Sequence, residues 1–230
     1  MASSLFVTAT DTDAGKSFVS AALTRALRAA GKDVLALKPV SCGRDEGSLN
    51  GDVTLLLAAQ DMQQAQAGEI NLYDYAAWAA PLFAARSGGN PVDGEYLIQW
   101  CRQCSAGHEL CLIEAIGGLM APLGEGLLVS DWLAGMPEAA VLLVVRARLG
   151  GINQALLSLD KLQRMGRSPA WVLVNAADAG SEAMLEEHRE ALAPYLPEDS
   201  CLMSLPYMPQ QEQAVACLQD SSLCRSMLGA

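Results

Sequence analysis

The chain has 230 residues, 51% of them hydrophobic, and a formal net charge of −11 at pH 7. That length and apolar content suit one domain over residues 1–230 with a sizeable core, and the acidic balance argues against nucleic acid or an anionic membrane as main partner, since both reward clustered Lys and Arg. The longest apolar run, residues 139–145, falls far short of the roughly 20 needed to span a bilayer, and no basic segment followed by an apolar stretch opens the chain, so the expected location is cytoplasmic and the 7 cysteines are expected as reduced thiols.

Leu5, Phe6 and Val7 form a short apolar run. The stretch Thr8-Ala9-Thr10-Asp11-Thr12-Asp13-Ala14-Gly15-Lys16-Ser17 follows it and leads into a helical period, with Val19, Ala22, Leu23, Ala26, Leu27 and Ala30 at three- and four-residue steps before Gly31. Strand, small-residue loop, Gly-Lys-Ser and helix is the arrangement of a phosphate-binding loop. Backbone N–H groups and the helix N-terminus face a polyphosphate, Lys16 reaches its outer phosphates, and the Ser17 hydroxyl can ligate Mg²⁺. The plainer alternative is an ordinary strand-to-helix turn with a chance Gly-Lys-Ser. The usual spacing puts glycine at Thr10, or at Ala9 in loops one residue longer, and neither is glycine; if Ala9 needs positive φ, the strain is about 1 kcal/mol or more.

Residues 33–39 read as a strand stopped by Pro39, residues 41–50 as a Gly-, Ser- and Asp-rich loop, and residues 52–63 as a helix. Residues 70–80 show no clear period, though Tyr73, Tyr75 and Trp78 are suited to covering an edge of the core. Pro81 suits the first turn of a short helix and Asp93 the N-cap of one running to residue 104. Residues 110–114, 139–145 and 170–175 are continuous apolar strands of the kind buried on both faces of a parallel sheet. Helices over 152–165, 181–192 and 210–218 and a last strand over 201–205 complete the alternation. The pattern predicts an α/β fold of P-loop NTPase type: a doubly wound, mainly parallel sheet with helices on both faces.

Ligands of such sheets bind beyond the carboxyl ends of the strands, which makes Ala9 onward, Lys38, Glu114, Arg146 and Asn175 the candidates for chemistry. Glu114 ends a strand and leads to Gly117-Gly118; it is either a Mg²⁺ ligand or a solvated strand-end carboxylate. Asp52 is a second Mg²⁺ candidate or a helix-capping residue. Lys38, held extended by Pro39, either snorkels to solvent or stabilises a reacting anion. Asn175 can read an adenine edge or simply end a strand in a turn, and the Gly150-Gly151-Ile152-Asn153 helix start could seat a carboxylate. Cys101, Cys104, His108 and Cys111 imitate a zinc site, but their helix and strand patterns equally make the cysteines core residues. His108 and His188 carry no serine or cysteine motif of a hydrolytic triad.

These motifs, in this order, resemble dethiobiotin synthetase. The family's G-T-D-T-x-x-G-K-T opening is similar to residues 9–17, its K-P-V to Lys38-Pro39-Val40, and its E-G-A-G-G to Glu114-Ala115-Ile116-Gly117-Gly118. Its L-G-x-I-N-H resembles Leu149 to Gln154, with Asn175 and Pro206-Tyr207 following. The resemblance implies ATP-dependent closure of a ureido ring on 7,8-diaminononanoate and CO₂ through a phosphorylated carbamate. It implies catalytic roles for Lys38 and Lys16, and ATP contacts from Thr12, Asp13, Ala14, Gly15, Lys16, Ser17, Phe18, Glu114, Gly117, Asn175, Pro206 and Tyr207. It further implies Mg²⁺ at Ser17, Asp52 and Glu114, Lys38 at the carbamate, and the substrate carboxylate at Gly151, Ile152 and Asn153 across a homodimer interface. Ala9, Ala115, Ile116, Cys42 and Ala80-Pro81-Leu82 depart from the family pattern. A cobyrinic acid amidating type of P-loop ligase, a nucleotide switch of the partition ATPase type and a catalytically silent dimeric binding protein are the alternatives.

Overall fold

The computed structural model describes residues 3–229. The first half of the chain forms β1 (Ser3–Ala9), α1 (Lys16–Ala29), β2 (Val34–Leu37), β3 (Val40–Cys42), α2 (Gly51–Ala59), α3 (Ala67–Ile70), β4 (Tyr73–Tyr75), α4 (Pro81–Gly88), α5 (Gly94–Ser105) and β5 (Leu110–Glu114). The second half forms β6 (Pro122–Gly124), β7 (Leu127–Leu128), α6 (Val129–Ala134), β8 (Ala140–Arg146), α7 (Gly151–Arg164), β9 (Trp171–Asn175), α8 (Leu185–Leu192), β10 (Cys201–Leu205), α9 (Gln211–Gln219) and α10 (Ser222–Leu228).

The main sheet is parallel throughout, in the order β10-β9-β8-β1-β5-β2. Side chains alternate between the faces of a strand, and both faces here are covered. On β8, Leu142 and Val144 join the core that includes Val19, Leu23 and Leu27 of α1, whereas Leu143 and Val145 join a second core with Ala155 and Leu159 of α7 and Leu192 of α8. Phe6 of β1 meets Trp132 of α6 edge to face at 4.9 Å between ring centroids. This double burial is why the strands read as unbroken apolar runs. β1 sits between β5 and β8, with the chain continuing to β2 on one side and β9 on the other, so the loop after β1 opens at the point where strand order reverses.

Several expectations need correction. Residues 41 and 42, expected as the start of a loop, belong to a strand: β3 pairs in parallel with β4, Val40 opposite Tyr73 and Cys42 opposite Tyr75. Three residues are too few to display an alternating pattern, and the pairing is instead supported by buried, stacked Tyr73 and Tyr75. The helix expected to reach residue 63 stops at Ala59 because Gln60 turns to the open edge of β2. Its side chain accepts from the Ala36 N–H at 2.8 Å and donates to the Ala36 carbonyl at 2.9 Å, supplying the bonds of a missing neighbour strand. Residues 179–184 form a 3-10 turn, capped where Asp178 accepts from the Ser181 N–H at 3.0 Å, and the regular helix begins only at Leu185. Ala9 carries no positive φ; among the described non-glycine residues only Asp13 and Asp61 do, both at 58°, so the strain considered at Ala9 does not arise. No helix among the described residues is long and apolar enough to cross a membrane.

Candidate active site

The loop after β1 closes on Gly15, which has φ of 88° and serves as the N-cap of α1 without any side-chain cap. A Cβ at Gly15 would lie 2.2 Å from Asn175 Nδ2, so only glycine lets the two approach. The Asn175 amide donates to the Ala14 carbonyl at 2.9 Å, tying the loop to the end of β9. The uncapped first turn of α1 leaves N–H groups without intrahelical partners, the usual seat of a phosphate. Lys16 is buried and curls back to donate to the Asp11 carbonyl at 3.2 Å. Burial first, and the neighbouring Lys38 charge second, lower its pKa to about 8. Asp11 in turn accepts from Arg148 at 2.6 Å and from Gln154 at 3.1 Å, so the loop is also moored to the segment that opens α7.

The strand ends beside the loop hold a buried cluster. Lys38 Nζ donates to Glu114 Oε1 at 2.6 Å and pairs with Asp52 Oδ2 at 2.8 Å; the Lys38 side chain is 2% exposed. Ser17 Oγ donates to the same Glu114 oxygen at 2.6 Å. Glu114 Oε2 is buried with no hydrogen-bond partner. Lys38 therefore does not snorkel to solvent, and Glu114 is not a solvated strand-end group. Asp52 is not the helix cap either: Asn50 caps α2 by accepting the Asp52 N–H, which frees the Asp52 carboxylate to face Lys38. Burial alone would lower the Lys38 pKa and is the largest influence, but Glu114 and then Asp52 together outweigh it and hold the ammonium above its ordinary value. Burial likewise works against Asp52 ionising, and Lys38, with help from Ser17, reverses the balance and keeps its carboxyl below the usual range.

A crevice of about 970 Å³ opens over these groups. Thr12, Asp13, Gly15, Lys16, Ser17, Phe18, Lys38, Asp52 and Gly117 line it, so the structure gathers most of the residues expected from the sequence. Ala14 is buried behind the loop. Asn175 lies beneath the loop, and Leu205, its register partner on β10, precedes Pro206 and the part-exposed Tyr207. Gly151, Ile152 and Asn153 do not line this crevice; the Gly151 N–H is already bonded to the Arg148 carbonyl at 2.8 Å.

The departures from the family pattern separate once located. Ala115 is buried away from the crevice, whereas Ile116 lines it. Ser41 points elsewhere, donating to Asn71 and Asp74, and Cys42 lines the crevice in its place. Burial pushes the Cys42 thiol up to about 11, so it presents a neutral group to Lys38. Trp78 was legible only as a core-covering aromatic, yet it is 80% exposed and lines the crevice, its ring against Gly43. The Asp11–Arg148–Gln154 mooring was also missed, because nothing in the spacing links residue 11 to residues 148 and 154. Cys101 and Cys111 are buried on α5 and β5, and burial raises both thiols, Cys111 to about 12.

A glycine-closed loop and uncapped helix at the reversal point of a parallel sheet, with a buried lysine and serine at its start, define a P-loop nucleotide-binding α/β protein. Solved structures share the fold. The septum site-determining protein MinD of Pyrococcus horikoshii OT3, complexed with Mg-ADP, has a TM-score of 0.58 at 15% identity, covering 99% of this chain and 93% of that one. A ParA family ATPase from Chlorobium tepidum TLS has 0.56 at 12%, covering 98% and 97%. The family described as an AAA domain matches residues 3–214. The ATP-dependent dethiobiotin synthetase of Anaeromyxobacter sp. (strain K) is 38% identical over 173 residues, 74% of this chain and 75% of the relative. That of Pseudomonas aeruginosa (strain UCBPP-PA14) is 36% identical over 213 residues, 91% and 92%. The chain belongs to the ATP-dependent dethiobiotin synthetase family.

Proposed function

We propose that the chain is an ATP-dependent dethiobiotin synthetase acting in the cytoplasm, closing the ureido ring of dethiobiotin from 7,8-diaminononanoate and CO₂. One observation supports the reading above the others: Lys16, Ser17, Lys38 and Asp52, from three separate segments, line one crevice, and Glu114 from a fourth lies buried against Ser17 and Lys38. One amine of the substrate takes up CO₂ as a carbamate, a carbamate oxygen attacks the γ-phosphorus of ATP with loss of ADP, and the second amine attacks the carbamoyl carbon with loss of phosphate.

Lys38 suits the electrostatic part of this sequence. Its ammonium is held in the charged form, so it serves as a fixed positive charge against the carbamate and its phosphorylated form, not as a proton acceptor. Lys16 and the N–H groups opening α1 bind the phosphates, with Thr12, Asp13, Ala14, Gly15, Phe18 and Gly117 shaping the cradle. The donor set fits Mg²⁺: it is all hard oxygen, and Glu114 Oε2 is a buried acceptor with no partner. Ser17, Asp52 and Glu114 would hold the ion, whose charge would neutralise the triphosphate. Asn175 has its amide nitrogen committed to the loop, leaving its carbonyl for the exocyclic amino group of adenine, with Pro206 and Tyr207 beside it. The first N–H groups of α7, at Ile152 and Asn153, would receive the substrate carboxylate in the crevice of a second copy. Their absence from their own crevice and the exposure of Leu149 and Leu157 on the same segment support a homodimer.

Incubation with ATP, Mg²⁺, bicarbonate and 7,8-diaminononanoate should yield the cyclic urea by mass, with one ADP per ring, and Lys16→Ala should abolish it. Folded wild-type protein that forms no cyclic urea refutes the reading.

A further inference from the structure

We infer that Arg146 binds the nucleoside end of ATP, its guanidinium facing the base and ribose beside Asn175; the inference rests on the proposed use of ATP. Arg146 is the last residue of β8, the strand adjoining β1, and is in register with Asn175 on β9, which is in register with Leu205 on β10. Arg146, Asn175 and Leu205 thus form a row along the carboxyl edge on one side of the phosphate loop. Lys38 and Glu114 lie at the ends of β2 and β5 on the other side. With the phosphates drawn toward Lys16 and Ser17, on the side of the loop away from that row, the nucleoside extends along the row that begins with Arg146.

The side chain is placed for that role. It lines the crevice with Asp13, Gly15 and Ala177 and is 24% exposed. Of the five N–H donors of a guanidinium, Asp178 accepts one at 3.2 Å, and the buried Nε–H has no partner. Unmet donors on a cation at a crevice wall call for acceptors from a ligand, and a nucleoside supplies ring nitrogens, ribose hydroxyls and an aromatic face on which a guanidinium stacks. Asp178 is itself fixed by capping the turn at Ser181, so it anchors one edge of the guanidinium and leaves the remainder to the crevice. No role in the chemistry proposed above uses this cation.

Calorimetric titration of the full chain with Mg·ATP, Mg·ADP and inorganic tripolyphosphate tests the assignment. Arg146→Met should weaken ATP and ADP binding about tenfold and leave tripolyphosphate unchanged. Arg146→Lys, which keeps the charge but not the planar fork, should recover only part of the loss, and Asp178→Asn should stay within about twofold of wild type for ATP. Thermal melts of each variant establish that it is folded, and Arg146→Gln replaces the Met variant if that one is not. Unchanged ATP binding in Arg146→Met overturns the inference. So does an equal loss for tripolyphosphate, which would make Arg146 a phosphate ligand, or an equal loss in Asp178→Asn, which would make it a prop for the turn. Wild-type protein that binds ATP but forms no cyclic urea sinks the proposed activity and leaves this assignment standing; wild-type protein that binds no ATP overturns both.

Discussion

Replacing Lys38 by methionine keeps the length and apolar stem of the side chain and removes only the ammonium. Its partner Glu114 has a side chain with 0% exposure, so the variant strands a carboxylate away from water. Breaking a buried ion pair by deleting one partner costs about 3–5 kcal/mol. Two features favour the lower figure: the Ser17 hydroxyl still donates to Glu114 Oε1, and Asp52, with a side chain 45% exposed, can turn to solvent. Lys38→Met should therefore lose about 3 kcal/mol, which for a chain of this size is roughly 6–12 °C in Tm. The double variant Lys38→Met/Glu114→Gln removes both charges and should recover about 2 kcal/mol of that loss. Urea unfolding of wild type, both single variants and the double variant measures the coupling directly. A single-variant cost below about 1 kcal/mol, or a double variant equal to the sum of the singles, refutes the buried pair as drawn. Lys38→Met should also retain ATP binding while losing ring closure, because its charge is assigned to the carbamate and not to the nucleotide.

Lys16 gives a pH prediction. Its ammonium titrates at about 8 in the free protein because burial, and then Lys38, disfavour the charged form. The triphosphate requires that form, so affinity for ATP should be flat below pH 8 and fall about tenfold per unit above it, with net proton uptake on binding. Titrations in buffers of different ionisation enthalpy read the uptake, and affinity constant to pH 9.5 would exclude the depressed value. Gly15→Ala should cost about 1–2 kcal/mol for the left-handed backbone alone, and it should also push the Asn175 amide from the Ala14 carbonyl. A melt and an ATP titration would show both losses, whereas wild-type affinity in a folded Gly15→Ala variant would dismiss the tie between loop and strand.

The parallel sheet was legible because burial on both faces writes itself into the sequence as unbroken apolar runs, as at residues 110–114. The phosphate loop was legible because Gly15, Lys16 and Ser17 are contiguous. What escaped depends on pairs distant along the chain or on elements too short to show a period. Nothing local marks residues 40–42 as a strand, since their partner is at 73–75 and three residues display no alternation. The fate of Gln60 is equally hidden, because only the open edge of β2 turns a helical glutamine into a backbone mimic. Arg146 was singled out as a strand-end residue without a role, because the neighbours that give it one, Asn175 and Asp178, belong to another strand and the turn beyond it.

The central pair at Lys38 and Glu114 shows how register converts such distant residues into a site. The two are 76 positions apart, yet β2 and β5 pair with Leu37 opposite Ile113, so the next residue of each strand falls side by side. β1 pairs with β5 so that Val7 lies opposite Glu114, which sets that carboxylate at the strand from which the phosphate loop departs. A slip of one residue in either pairing would turn Lys38 or Glu114 to the opposite face and place a charge inside an apolar layer. The same apolar residues that fix the register, Leu35 and Leu37 against Cys111 and Ile113, thereby exclude the misplaced alternatives. Position in the cluster is thus a consequence of core packing one and three residues earlier in each strand, and substitutions that loosen that register should impair the cluster without touching any of its members.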